Sequence, residues 1–214
     1  MTKKTLLSHA SFGPVQYFAH LRRGPVIIEK HSNYTRQTYR NRYIIGGANQ
    51  PLHLSIPVEK GHGTKIPDKD VRIAYHTPWQ KIHQRSIVSA YNSSPFFEFY
   101  MDEVLPFFER KFTFLMDFNL ESMNILCELA GIDAEISFTG EFVKNPPHGI
   151  LDMRDNIHPK KSYQQHDPFF TPHPYKQVFD DRHGFVPNLS ILDLLFNKGP
   201  ETRLVLEQSM RNKA

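Results

Sequence analysis

Arginines 36, 40 and 42 crowd into Tyr34-Thr35-Arg36-Gln37-Thr38-Tyr39-Arg40-Asn41-Arg42-Tyr43. A guanidinium presents a planar fork of donors that matches phosphate or carboxylate oxygens. The interleaved tyrosines add stacking surface, and Asn41 adds directional hydrogen bonds. If the stretch is extended, Arg36, Arg40 and Arg42 project to one side by the two-residue period. This pattern predicts a site for a small anion. The competing reading is a solvated basic edge strand, whose charges discourage edge-to-edge pairing.

A second constellation is Trp79-Gln80-Lys81-Ile82-His83. His83 falls one helical turn after Trp79, on the same face. It is the candidate general base, because a helix places it; a satisfied core histidine is the plainer alternative. Trp79 and Tyr17 are candidate stacking walls, and Gln16 a candidate for orienting an acceptor. Asn188 stands at the start of an apolar helical run, where it caps the helix or, beside a bound anion, helps present backbone donors. The His166-Asp167, His173 and Asp180-Asp181-Arg182-His183 group has metal-ligand types, but its spacing matches no compact motif. No metal and no bound organic cofactor is indicated. Cys127, the single cysteine, sits in apolar phase with Met123 and Ala130 and reads as core. No phosphate-binding glycine loop and no GxSxG is present. The stretch Phe12-Gly13-Pro14-Val15-Gln16-Tyr17-Phe18-Ala19-His20 looks like a degenerate HxGH loop of nucleotidyltransferases. Gln16 replaces its first histidine, and His20 comes late.

Charge sharpens the anion reading. Residues 1–85 carry 14 Lys/Arg against 4 Asp/Glu, and the remainder carries 12 against 18, for a net +4. A basic first part and an acidic second part point to a local anion site in the first. They do not suit a protein that binds a nucleic-acid backbone along its whole surface. The lone cysteine excludes an intrachain disulfide and a cysteine-rich metal site from this chain. No apolar run is long enough for a membrane span, and the amino-terminal segment lacks a signal-peptide core. A cytoplasmic protein is expected.

The elements that must carry these residues read as α/β. Leu6-Leu7, a short helix after Pro14, and Val26-Ile27-Ile28 form a β-α-β start. Tyr43–Ile45 and Leu52–Val58 flank a Gly-Gly-Ala-Asn turn as a hairpin, and Val71–Tyr75 is a further strand. Helices are predicted from Thr77-Pro78, from Ser94-Pro95 with a break at Pro106, and over about 120–130 up to Gly131. Ile136–Phe138 reads as another strand. Residues 144–187 hold seven of the 16 prolines and five of the 12 histidines and show no periodicity. Two helices follow within 188–210. One domain is expected, 1–214. Its parts are a sheet-rich basic part (1–76), a helical part (77–131), an irregular Pro/His-rich loop (144–187) and terminal helices.

Several blocks together resemble the bacterial WbqC-like family. They are Phe12-Gly13-Pro14-Val15-Gln16-Tyr17-Phe18, Tyr39-Arg40-Asn41-Arg42, Leu54-Ser55-Ile56-Pro57-Val58, Trp79 to Tyr91 with Ser94-Pro95-Phe96-Phe97, and Pro187-Asn188-Leu189-Ser190-Ile191-Leu192-Asp193. They occur in order between about Leu6 and Pro200. The resemblance implies a role in bacterial surface-polysaccharide synthesis, since the family is associated with O-antigen gene clusters. Arg36, Asn41 and Arg42 match and are carried as site candidates. The chain departs at Ser8-His9-Ala10, where many relatives carry His-Gln-Pro, and at Lys30-His31, where many carry paired acids. The expectation is a transferase acting on a nucleotide-activated or phosphorylated sugar. The alternatives are a non-catalytic assembly protein, with a protein partner on the aromatic second helix, and the nucleotidyltransferase-like enzyme.

Overall fold

The structure is a computed structural model that describes residues 4–59 and 65–211. Residues 60–64 of the expected Lys60–Asp70 loop lie outside the described residues, as do both chain ends.

The β-α-β start forms as its residues dictate. Strand β1 (Thr5–Ser8) leads to α1 (Val15–Arg23), which returns the chain to β2 (Val26–Glu29). The two strands pair in parallel, Leu6 against Ile27 and Leu7 against Ile28. Pro14 stands at the N-cap of α1, and Gly24 ends the helix. The helix packs its Val15, Phe18, Ala19 and Leu21 side chains into the core.

The basic segment 34–41 is not extended. It runs through turns, with Gln37 at φ 60, and only at Arg42 does β3 (Arg42–Ile45) begin. The two-residue alternation that would align Arg36, Arg40 and Arg42 is therefore absent. The hairpin itself is present: β3 pairs antiparallel with β4 (Leu52–Ser55). Val71–Tyr75 makes isolated bridges, Ile73 to Val58 and Arg72 to Phe114, rather than a strand.

Four helices follow: α2 (Trp79–Tyr91), α3 (Phe97–Val104), α4 (Pro106–Glu109) and α5 (Leu115–Leu129). Pro106 opens α4 instead of kinking α3, where its missing N–H costs nothing. The chain then enters β5 (Ile136–Phe138), which pairs in parallel with β2. Inside the Pro/His-rich stretch lie β6 (Leu151–Asp152), parallel to β1, and the short helices α6 (Tyr163–His166) and α7 (Asp180–His183). Helices α8 (Ile191–Lys198) and α9 (Thr202–Gln208) close the fold.

The four-stranded sheet is parallel, in the order β5-β2-β1-β6. Counted along the chain, its strands run third, second, first, fourth. That is the order at the start of a doubly wound sheet, which reverses direction beside its first strand. Here the reversal falls between β1 and β6. Ligands of open α/β sheets bind beyond the carboxyl ends of the strands at such a point. The carboxyl end of β1 leads into Ser8-His9-Ala10-Ser11, and that of β6 into Met153-Arg154.

The core behind this edge is unusually aromatic. Phe12 lies at its centre, with Tyr43, Phe107, Phe108 and Phe118 at ring-centroid separations of 5.1, 5.7, 5.7 and 5.4 Å. Phe12 has φ 38, a backbone conformation rare for a bulky residue. It turns the chain sharply from the end of β1 toward α1.

Candidate functional site

A narrow crevice opens at the switch point. Its walls are Ser8, His9 and Ala10 after β1, Tyr17 of α1, Thr38, Tyr39 and Arg40, and Met153, Arg154 and Ile157 after β6. About 10 Å³ of it is open to a water-sized centre, room for about one such group.

Arg40 is buried beside this crevice with Asp68, which is fully enclosed. Its Nε donates to Asp68 Oδ2 at 2.9 Å, and its Nη2 donates to Ser8 Oγ at 2.9 Å and Ser32 Oγ at 3.4 Å. Ser32 Oγ donates to the same Asp68 oxygen at 2.5 Å. Burial pushes the Asp68 carboxyl up, but the His9 ring, Arg40 and Ser32 together hold it below its ordinary value. The carboxylate is therefore ionised and balances Arg40.

His9 completes the group. Its Nδ1 lies 2.6 Å from Asn119 Nδ2, and Asn119 Nδ2 also donates to the Arg40 carbonyl at 2.7 Å. A carbonyl only accepts, so the amide orientation follows, and Nδ1 must be the accepting nitrogen. The ring proton then sits on Nε2. Nε2 lies 3.7 Å from Asp68 Oδ2, too long for a hydrogen bond. Burial lowers the His9 pKa more than Asp68 raises it, so the ring is neutral. Both His9 Nε2 and Asp68 Oδ1 are buried without a hydrogen-bond partner, one a donor and one an acceptor. The Tyr34 hydroxyl is likewise unpartnered. Burial pushes its pKa up to about 12, and the charges of Arg36, Asp68, Arg40 and Arg42 all act on it. Unpartnered buried polar atoms are uncommon and point to a functional site or an ordered guest.

The second arginine of the crevice is fully engaged. Arg154 donates from Nε and Nη2 to Asp152, and from Nη1 to Glu29 at 3.3 Å and to the Val143 carbonyl at 2.6 Å. Glu29, enclosed at the end of β2, also accepts from His31 N, Thr139 Oγ1 and Val143 N. This is a clasp across the strand ends rather than a free anion receptor.

The residues singled out from sequence do not gather at one place. Arg40 and Tyr17 line the crevice. Arg36 is exposed, two residues before Thr38 of the crevice wall, and its charge acts on the Tyr34 hydroxyl. Arg42 starts β3 and donates to Ser55 Oγ at 3.2 Å, while Asn41 Nδ2 donates to the Ile56 carbonyl at 2.9 Å, so both stitch the hairpin. His83 is packed between Trp79 and Phe108, and its Nδ1 lies 2.9 Å from the Tyr43 hydroxyl. Burial takes its pKa down to about 4, so it is a neutral core histidine. Trp79 packs with it against Tyr75 and Phe118. Cys127 is buried, and its thiol is pushed up to about 12.

Gln16 and Asn188 belong together at the start of α1. The Gln16 backbone N–H donates to Asn188 Oδ1 at 2.9 Å, Asn188 Nδ2 donates to Gln16 Oε1, and Val15 N donates to the Leu189 carbonyl. The leading amides of α1 are thus already bonded within the protein. A phosphate seated on this helix end, as the HxGH alternative requires, would have to displace them. Asn188 holds φ 60, which asparagine tolerates better than other side chains. Asn188→Ala is expected to cost about 1–2 kcal/mol, from the lost cap and the strained backbone. Asn188→Gly should cost less, because glycine keeps the backbone geometry. Urea unfolding midpoints check the order.

A larger hollow of about 400 Å³ is walled by Tyr163, Asp167, Phe170, Phe185, Pro187 and Arg211, among others. Its carboxylate, Asp167, is engaged by His20 Nε2 at 2.7 Å and Gln16 Nε2 at 2.8 Å. The unpartnered His20 Nδ1 lies behind that carboxylate and does not line the hollow, whereas the unpartnered His9 lines the β1/β6 crevice at the switch point, which makes the crevice the stronger candidate.

Sequence reasoning missed His9, Asp68 and Asn119. His9 had one usable signal: it directly follows the first buried strand of a β-α-β unit, where α/β ligand sites lie. Asp68 and Asn119 had none, since they meet His9 only in three dimensions.

A family model for the WbqC-like protein family matches residues 12–160 and 155–204, most of the chain. The chain belongs to the WbqC-like protein family. Arg40, Asp68 and Asn119 of this WbqC-like protein fall inside the matched segments, and His9 lies just before them. It is also similar to an uncharacterized protein of Mycobacterium tuberculosis, Rv1507c, with 27% identity over 203 residues, covering 82% of this chain and 84% of that protein. No solved structure matches it significantly. Among the described residues, no helix is long and apolar enough to cross a membrane.

Proposed function

We propose that this WbqC-like protein is a cytoplasmic transferase of bacterial surface-polysaccharide synthesis. Its substrate would be a nucleotide-activated or otherwise phosphorylated sugar, seated at the mouth of the β1/β6 crevice with only the reacting oxygen reaching in, since the crevice has room for about one water-sized group. The observation that carries the reading is the buried group at the switch point, where Arg40 and Asp68 balance each other and His9 Nε2 has no partner. A fixed donor in a water-poor site is what stabilises an oxygen on which charge develops during transfer. Neutral His9, its tautomer set by Asn119, is suited to that electrophilic role. Asp68 stays ionised to hold Arg40. His9 thus takes the place given to His83 on sequence grounds, because His83 is closed in by aromatic rings.

Thermal unfolding with a panel of nucleotide sugars and sugar phosphates tests this. A ligand at a hundred times its Kd is expected to raise Tm by about 5–10 °C. Mass spectrometry of the effective ligand with candidate acceptors should then show a transferred group, and His9→Gln should lose transfer while keeping most of the Tm rise. The reading fails if no member of the panel raises Tm. The assembly-protein reading gains its own support if a stoichiometric protein partner is captured and no small molecule has an effect; the exposed Phe99 on α3 is where it would dock.

A further inference from the structure

We propose that the terminal phosphate groups of the substrate dock on the outer rim of the crevice, on Arg36, Lys160 and Lys161, so that the bridging oxygen of the sugar–phosphate bond, which keeps the electron pair when that bond breaks, is the atom turned toward His9. The inference rests on the transferase reading and adds the residues that would select an anionic substrate and orient it.

Charge inside the crevice argues against an anion there. Arg40 is matched by Asp68, and Arg154 is matched by Glu29 and Asp152. The amides of α1 are bonded to Leu189 and Asn188, and Ser190 both caps Leu192 N and anchors the start of α8. A phosphate deep in the crevice would therefore face paired cations and closed helix ends. It would lose its hydration without a free positive charge to replace it.

The rim offers free cations. Arg36, Lys160 and Lys161 are exposed, and among the described residues none forms an ion pair. They come from segments far apart in sequence that meet at the crevice. Thr38 and Ile157 both line it, and Lys160 Nζ donates to Gln37 Oε1, tying the two segments together. His158, whose Nδ1 accepts from Lys160 N, is partly buried between them. Burial lowers its pKa, and Lys161, Lys160 and Arg40 lower it further, against the opposing charge of Asp155. A histidine held down by its neighbours reports a positive local potential. The acids of this neighbourhood are Asp155, Asp152 and Glu29; the last two are taken up by Arg154, which leaves Asp155 facing Arg36, Lys160 and Lys161. The guanidinium and two ammonium groups fit a diphosphate better than a single carboxylate, since each can take a separate oxygen.

Inorganic pyrophosphate is the probe, titrated into the intact chain and followed by amide NMR and calorimetry. Binding is expected to shift the amides of residues 36–39 and 158–161 and to leave Val15 and Gln16 unmoved. Lys160→Ala with Lys161→Ala should weaken binding about tenfold, and raising salt from 50 to 500 mM should weaken it comparably, because exposed cations are screened. Both lysines are exposed, so the variant folds as the parent does. The proposal is overturned if pyrophosphate does not bind, if its shifts centre on α1, or if the double variant binds as well as the parent. The two readings separate cleanly. Nucleotide sugars that raise Tm equally in parent and double variant sink the rim and leave the transferase standing. Pyrophosphate that binds the rim while no nucleotide sugar does better leaves the rim standing and removes the sugar.

Discussion

Replacing Asp68 with alanine is expected to destabilise the fold by about 3–5 kcal/mol, the usual cost of removing one partner from a buried ion pair. The cause is the charge left behind. Arg40 is 5% exposed, and its counter-ion is 0% exposed, so water cannot take over the role of the carboxylate. Ser32 Oγ loses its acceptor in the same step. Asp68→Ala combined with Arg40→Met should be less damaging than Asp68→Ala alone, since the second change removes the stranded charge. Urea unfolding of the three proteins gives the comparison; equal midpoints for parent and Asp68→Ala would show that the pair is solvated. The pair also fixes a pH dependence. The folded Asp68 carboxyl is held below its ordinary value, so its stabilisation is fully present above the unfolded pKa near 3.9 and is lost as pH falls through the lower folded value. Asp68→Ala should remove that part of the acid sensitivity.

Phe12→Ala is expected to cost about 3–5 kcal/mol, in the range for an aromatic ring deleted from a packed core. Phe12 is 1% exposed and touches the rings of Tyr43, Phe107, Phe108 and Phe118. Its backbone at φ 38 adds a second, separable effect. Alanine keeps the strain of a left-handed conformation and glycine relieves it. Phe12→Gly should therefore be more stable than Phe12→Ala by about 1 kcal/mol, the reverse of their usual order. Phe99→Ala is the control: Phe99 is 73% exposed, and its loss should change stability by less than about 0.5 kcal/mol. Thermal or urea unfolding of all three decides both points.

How legible the fold was in the sequence depends on how local each signal is. The β1-α1-β2 unit was readable because Pro14, Gly24 and the Val26-Ile27-Ile28 run act on their own neighbours. The hairpin was readable from its turn and alternation. Strand β6 was not, since Leu151–Asp152 is too short to carry a period and exists only because Thr5 and Leu6 offer it a parallel edge. Yet β6 creates the switch point that makes the crevice. The arginine cluster shows the same divide. Its composition marked a stretch that borders the crevice, but the turns at 34–41 send Arg36 outward, Arg40 inward and Arg42 into a hairpin.

The amino-acid sequence by itself determined the class of this protein: an α/β chain of the WbqC-like type, with its positive charge gathered in the first part and a single cysteine that excludes an intrachain disulfide. Those properties follow from composition, local propensity and blocks of residues adjacent in the chain. Only the tertiary structure decided which residues come together at the candidate site. His9, Arg40, Asp68 and Asn119 are separated by long stretches of chain, and so are Arg36 and Lys160. Their protonation, pairing and exposure are set by what surrounds them after folding. A buried charge is a property of its enclosure, and enclosure cannot be read one segment at a time.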